Sequence, residues 1–436
     1  MTQALANNRL AVDRSWLDAM MEEVSAFGAT DEPGALNRMA ATSEHGEARD
    51  WLCSEMERRG YEVRVDRIGN VFGVLETAGP DAPLVLVGSH LDSQPNGGRF
   101  DGAYGVVAAL AAIEAVRVHL DARGERPGCN FAVVDWTNEE GARFQPSLLG
   151  SGVYTGELDL DFALAREDGD GLSVGAELAR IGYAGTDTAP KADCYIEFHV
   201  EGDTALEQSR RHIGPFERYW GALKVRAAML GERAHTGPTV MAERKDAGLG
   251  AAYVMAGLRA MSDKRDGALY TSVGRLVVEP NSPNMVPERA TMFIELRAPE
   301  QPMLEEAEAE LMVLLEESAA RAGIGHEVIS IDRRKAGRFD PRLVALCEAE
   351  AAAQGLETMR LDTIGGHDAV PLSRFCPGIV IAVPSVGGIL HHPDEYTTPE
   401  DCERGANVLA AMLWRLHEAG GDLDAATARS EGKGAT

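Results

Sequence analysis

The chain has 436 residues, 44% hydrophobic and 25% charged, ordinary globular usage that excludes disorder, collagen and coiled coil. Acidic residues number 69 against 42 basic, a formal net charge of −27; with no basic stripe to override it, this charge repels a phosphate backbone and excludes nucleic acid as a partner. The same field still admits a locally cationic pocket for a small anion, and at about 150 residues per domain the length suits about three structural units with a sizeable core.

The opening MTQALANNRLAVDRSW has no apolar stretch and no small-residue cleavage site, so no signal peptide is expected. The most apolar run, VVAALAAIEAV from Val106, reads as too short for a membrane span and is interrupted by Glu114. Cys53, Cys129, Cys194, Cys347, Cys376 and Cys402 lie far apart without a CxxC. They read as thiols of a reducing compartment, not as a disulfide frame or zinc knuckle. A soluble, cytoplasmic protein with no membrane partner is the expectation.

Ala48–Arg59 spaces its apolar residues as a helix that Gly60 stops, and YEVRVDRIGNVFGVLE then alternates as strands. PLVLVGSH, NFAVVDWTNEEG and DCYIEFHV follow, each an apolar run ending in residues able to bind metal. Such runs suit parallel strands buried on both faces, and GVVAALAAIEAVRVHL supplies a helix after the first. In open α/β sheets ligands gather beyond the carboxyl ends of the strands, where these polar tips fall.

The texture changes after Pro215. From Trp220 to about Arg333 the order reads strand, helix, strand, strand, helix, strand, a βαββαβ unit large enough for a second domain. Helix, strand and helix then resume at DPRLVALCEAEAAAQG, GIVIAVPS and NVLAAMLWRLHEAG. The expected organisation is an α/β main domain in two parts, 1–217 and 334–419, an inserted domain at 218–333, and a flexible polar tail at 420–436.

Eleven histidines sort by their neighbours. His90 ends the first apolar run, with Asp92 close enough in sequence to fix its second ring nitrogen from the second shell. Asp101 sits among glycines in GGRFDGAYG, which permit sharp turns and close backbone approach. Glu139 and Glu140 are adjacent carboxylates on a turn, so one can bind metal while the other handles a proton. His199 ends the third run and His391 lies in GGILHHPDE. Taken singly, a strand-end histidine is an ordinary polar residue and a Glu–Glu pair a solvated patch. Their convergence at one sheet edge instead suits a pair of divalent ions such as zinc, manganese, cobalt or nickel. His45, His119, His326 and His417 read as structural or exposed, and His392 stays ambiguous beside His391.

At these residues the sequence resembles the hydantoinase/carbamoylase family of dinuclear-metal amidohydrolases, within the superfamily of aminoacylases and metallo-exopeptidases. The likeness runs from about Ala48 to Trp414. GSHLDSQPNGGRFDGAYGV and NEEGARF are its most specific blocks; AHTG, PNSPNMVP, IELR and GGHDA follow in the family's order. The resemblance implies that the main domain is catalytic and the insert a ferredoxin-like lid and dimerisation domain. Asp101 would bridge two metal ions, His90 and His199 holding one, Glu140 and His391 the other. Glu139 would be the general base toward a metal-bridging water. His235 would help hold substrate and stabilise the oxyanion, Asn284 and Arg297 would grip a substrate carboxylate, and Gly366 would line the pocket. A guanidinium suits a bidentate carboxylate contact; the plainer readings are a helix cap for Asn284 and a surface ion pair for Arg297.

The sequence also departs from the family pattern. Gly202 stands where relatives carry a substrate-contacting Gln, Thr363-Ile364-Gly365-Gly366 replaces a run of small residues, and Leu390 precedes His391 where Ser is typical. These changes spare the metal set and bear on the substrate's head group. The resemblance implies a homodimeric amidohydrolase that cleaves the linear amide or ureido C–N bond of N-carbamoyl or related N-substituted amino acids. The alternatives are an N-acyl amino acid hydrolase or dipeptidase, and a catalytically silent binding protein, although silence normally shows as lost ligands.

Overall fold

The apolar runs that end in polar residues form the parallel heart of a single sheet. The computed structural model describes residues 10–431, so Met1–Arg9, on which part of the leader-peptide reading rests, and 432–436 lie outside the described residues. Two units are present. One holds the described residues up to Glu217, Phe339–Leu361 and those from Gly366 onward; the other holds Arg218–Arg338 and Asp362–Gly365.

In the first unit Glu62–Val65 pairs antiparallel with Val71–Leu75, which pairs antiparallel with Asn130–Trp136. Asn130–Trp136 runs parallel to Leu84–His90, that strand parallel to Cys194–Val200, and Cys194–Val200 parallel to Gly378–Val383. Gly214–Tyr219 pairs antiparallel with Gly378–Val383. The fold is mixed α/β with a mainly parallel centre. Every residue of the four parallel strands is buried, because helices cover both faces and leave no solvated side to demand alternation.

Helix Ala103–Arg123 packs on Leu84–His90 and Cys194–Val200. It is 21 residues long and apolar enough to cross a membrane by length and composition, longer than the run read from the sequence. Its apolar residues are instead spent on the core: Leu110, Ile113 and Val116 are fully buried, as expected of a helix hydrophobic all round. The final long helix, Pro399–Glu418, packs against it. Thr398 caps that helix with Pro399 in its first turn, so it starts well before the apolar stretch that announced it.

The expected flexible tail is structured through Glu431. Leu423–Glu431 is a helix that buries Leu423 and Ala426, and the Ser430 hydroxyl donates to buried Glu350 at 2.8 Å. Positions 423, 426 and 430 share one helical face, and that short stripe docks a segment whose composition is otherwise polar.

The second unit is a four-stranded antiparallel sheet in the order Gly325–Arg334, Gly221–Leu230, Arg289–Ala298, Tyr270–Glu279. Helices Ala247–Asp263 and Gln301–Ala322 join its strands in βαββαβ order. Leu223, Val225, Val254, Leu296, Leu311 and Leu315 meet in its core. The unit runs on past residue 333 to Arg338 because Gly337–Arg338 pairs with Tyr219 and Arg218. It also takes in Asp362–Gly365, where the Arg218 guanidinium holds Asp362 at 2.6 Å. A segment that joins a unit across such a sequence separation leaves no local signal.

Candidate metal centre and active site

Parallel strands bring their carboxyl ends to one edge of the sheet. His90 ends its strand opposite Trp136, and His199 lies one residue before the end of Cys194–Val200. Glu139 and Glu140 follow Trp136 on a turn in which Asn138 adopts φ +56°. Asp101 lies two residues before helix Ala103–Arg123, next to its N-cap Gly102, and His391 sits in the loop after Gly378–Val383. Gly102, at φ +64°, has no room for a side chain: a Cβ there would lie 2.4–2.5 Å from the His90 imidazole.

Two groups of ligand atoms meet at Asp101. His90, Asp101 and His199 form one, and Asp101, Glu140 and His391 the other. Asp101 Oδ1 lies 2.9 Å from His199 Nε2 and 3.6 Å from His90 Nε2. Its Oδ2 lies 3.0 Å from His391 Nε2, which is 3.4 Å from Glu140 Oε2. Glu139 reaches His90 Nε2 with Oε2 at 3.7 Å and stands outside both groups. All are buried except Glu140, which is partly exposed, and the half-exposed His391.

The remaining ring nitrogens orient the ligands. His90 Nδ1 is 2.9 Å from the Asp92 carbonyl and His199 Nδ1 is 2.9 Å from the Val200 carbonyl. With the N–H placed there, each Nε2 turns a lone pair toward the Asp101 carboxylate. A lone pair aimed at a buried carboxylate is repelled unless a cation, a proton or a metal ion, lies between. Buried Glu140 Oε1 also has no hydrogen-bond partner. Three imidazoles with carboxylates therefore fit borderline divalent ions. Asp92 faces His90 twice, with its backbone carbonyl at 2.9 Å and its carboxylate Oδ1 at 3.8 Å from Nδ1, and the same carboxylate accepts the backbone N–H of Glu139 at 3.2 Å and of Glu140 at 3.3 Å.

The electrostatics fit the same account. Burial opposes a charged His90, yet Glu139, Asp101 and Asp92 raise its pKa well above the usual imidazole range. The hydrogen bond to Asp101 lifts His391 to about 9. Burial, then the charge of Asp101, pushes Glu140 up to about 7. Burial raises Glu139 well above the carboxylate range against the pull of His90. These directions favour bound protons in the metal-free cluster, which a divalent ion held by the same groups would release.

His235, Asn284 and Arg297 lie in the second unit. His235 is exposed, pairs across a two-residue ladder with Met285, and accepts the Gly237 N–H on Nδ1 at 2.9 Å. The Asn284 carbonyl, next to Met285, accepts the Thr236 N–H at 3.1 Å. Arg297 stands apart from that pair on strand Arg289–Ala298. It forms an ion pair with Glu295 at 2.9 Å and donates to the Ile364 carbonyl at 2.5 Å. Gly366 is a half-buried loop residue of the first unit.

Sequence reasoning passed over several residues of this region. Glu197 accepts from the Ser89 hydroxyl at 2.9 Å and the Ala369 N–H at 2.8 Å, and with His199 and His367 it forms a third group able to hold a metal. The His367 ring lies 4.6 Å from that of His199, and buried Asp368 accepts from Ser151 at 2.5 Å. A signal for Glu197 existed: two residues before His199 on a strand, it shares that histidine's face, and it is the only charge in an apolar run. Glu395, which accepts the backbone N–H groups of Phe100 and Asp101 at 2.8 and 2.9 Å, gave no such signal.

The chain matches the model of peptidase family M20/M25/M40 over residues 86–415. A Mycolicibacterium smegmatis protein named only as a hydrolase is 42% identical over 95% of each chain. An N-carbamoyl-L-amino-acid amidohydrolase of Rhizobium meliloti is 34% identical over 92% of this chain and 96% of its own. A Burkholderia multivorans amidase of the hydantoinase/carbamoylase family superposes with a TM-score of 0.81 at 35% identity, over 95% of this chain and 99% of its own. The family is metal-dependent, the groups around Asp101 are able to hold metal, and the chain belongs to that family, among the hydantoinase/carbamoylase amidases.

Proposed function

We propose that this chain is a metal-dependent amidohydrolase that cleaves the linear C–N bond of N-carbamoyl or related N-substituted amino acids. One observation carries the reading: two ligand groups share Asp101, and a buried carboxylate, Glu139, is left over beside them. Two divalent ions, zinc, manganese, cobalt or nickel, would be its cofactors, one held by His90, Asp101 and His199 and the other by Asp101, Glu140 and His391. Such ions lower the pKa of water and polarise a carbonyl oxygen.

Glu139 takes the proton of the attacking water and returns it to the leaving nitrogen. Its burial raises its pKa, the direction that helps a carboxylate hold the proton it must later release. On the family resemblance, His235 steadies the oxyanion and Asn284 and Arg297 bind the substrate's carboxylate. The inserted unit acts as a lid that excludes water and carries a homodimer contact. A cytoplasmic location belongs to the same reading and rests on six scattered cysteines, all free thiols.

One feature favours a second reading, an N-acyl substituent in place of carbamoyl. Leu390 Cδ2 lies 2.7 Å from where a Cβ of Gly202 would stand, so an apolar side chain occupies the space beside the residue that replaces Gln. Hydrolysis of a panel of N-carbamoyl, N-formyl, N-acetyl and dipeptide substrates, with each of the four metals added back, separates the readings. Turnover of the N-carbamoyl members supports the first, turnover of N-acetyl members alone the second. Turnover of none removes both and leaves a binding protein.

A further inference from the structure

Glu395 is buried, with 4% of its surface exposed, in the turn that follows His391. Its Oε1 accepts the backbone N–H groups of Phe100 at 2.8 Å and Asp101 at 2.9 Å. Its Oε2 accepts the backbone N–H of His391 at 3.3 Å. We propose that Glu395 is a positioning residue, a clamp that fixes the Asp101 loop and the His391 loop against each other. The proposal rests on the metal reading above.

Three observations carry it. Asp101 and His391 are far apart in sequence and belong to no common strand pair, so another group must set their 3.0 Å approach. A single carboxylate that accepts from both backbones does so directly. His391 is held at φ +55°, in the left-handed region that a residue with a Cβ adopts only when its surroundings impose it. The Oε2 acceptor and the Glu395 N–H bonded to the His392 carbonyl at 3.0 Å supply that constraint. Finally, Gly98 makes room for the clamp: a Cβ there would lie 2.2 Å from Glu395 Cδ and 2.3 Å from its Cβ. Rotating the carboxylate alone cannot relieve that overlap.

The two oxygens serve different loops, so substitutions separate them. In Glu395→Gln the amide oxygen can still accept from Phe100 and Asp101, but its NH2 faces the His391 N–H and that arm fails. Glu395→Ala removes both arms, and Gly98→Ala displaces the carboxylate by overlap while leaving residue 395 a glutamate.

The test is the affinity of metal-free, full-length protein for Zn2+, measured by competition with a chromophoric chelator, together with the melting temperature of each metal-free variant. We expect wild type to bind two ions and Glu395→Ala to bind both about ten- to a hundredfold more weakly, in the range found for groups that orient ligands. Glu395→Gln should weaken one ion and leave the other near wild type. Gly98→Ala should match Glu395→Ala, and the double variant should be no worse than either single one. Wild-type affinity in both Glu395→Ala and Gly98→Ala overturns the clamp, as does a loss that tracks only a fall in the melting temperature of the metal-free protein. A wild type that binds no divalent ion removes the metal reading and the clamp together.

Discussion

The Asp92 carboxylate accepts the backbone N–H of Glu139 at 3.2 Å, and its second oxygen accepts that of Glu140 at 3.3 Å. The Asp92 carbonyl meanwhile faces His90 Nδ1 at 2.9 Å. One residue thus orients a ligand imidazole through its backbone and carries the two-glutamate turn on its side chain. Asp92→Asn would set an NH2 against one of those N–H groups while leaving the His90 contact intact. We expect metal affinity to fall about tenfold or more, with the loss concentrated on the ion that Glu140 holds. Titration calorimetry on the metal-free variant measures it, and affinities equal to wild type for both ions would refute the role.

Glu139 stands outside both ligand groups, so Glu139→Gln should separate chemistry from metal binding. Metal content should match wild type while kcat falls about a thousandfold or more, since the change removes the base and not a ligand. His90→Ala should do the opposite and lose metal. A Glu139→Gln enzyme with near-normal turnover would sink the assignment.

Chelation offers the most direct check of the cofactor. Elemental analysis of fully loaded protein should find about two divalent ions per chain, and exhaustive dialysis against a strong chelator should abolish activity. Activity should return with one or more of zinc, manganese, cobalt and nickel. Full turnover in the metal-free protein would end the dinuclear reading.

Arg297 already spends three of its N–H groups, two on Glu295 and one on the Ile364 carbonyl, which leaves two for a substrate. If these grip a carboxylate, Arg297→Ala should raise KM sharply for substrates with a free carboxylate and matter little for their amides or esters. Equal losses on both classes would mean that the arginine only supports its own unit, through Ile364.

Gly202 has φ +66°, and a Cβ on it would meet Leu390 Cδ2 at 2.7 Å. Putting the family's glutamine back by Gly202→Gln therefore meets strain and overlap. The single variant should lose about 1–2 kcal/mol from the left-handed backbone and show little gain for N-carbamoyl substrates. Gly202→Gln combined with Leu390→Ser removes the overlap and should shift selectivity toward N-carbamoyl over N-acetyl substrates. Thermal melting and kcat/KM ratios read both effects; a single variant as stable as wild type and newly selective would show that Leu390 yields freely.

Much of this protein was legible without coordinates. Continuous apolar runs ending in His90, in Glu139 and Glu140, and in His199 announce strands buried on both faces, because burial pressure acts on each strand separately and leaves its mark in local composition. The βαββαβ order of the insert is readable for the same reason, since each element carries its own period. Tertiary structure alone decided what distant segments do for one another. The carboxylate of Asp92 hydrogen-bonds the Glu139 and Glu140 turn as well as standing by His90; Glu395 joins the loops of Asp101 and His391; Leu390 fills the space beside Gly202; Leu423 and Ala426 dock a segment that looks like a tail. These are pairings of single polar groups or short apolar stripes across long stretches of chain, and such a pairing changes neither the composition nor the periodicity of either segment.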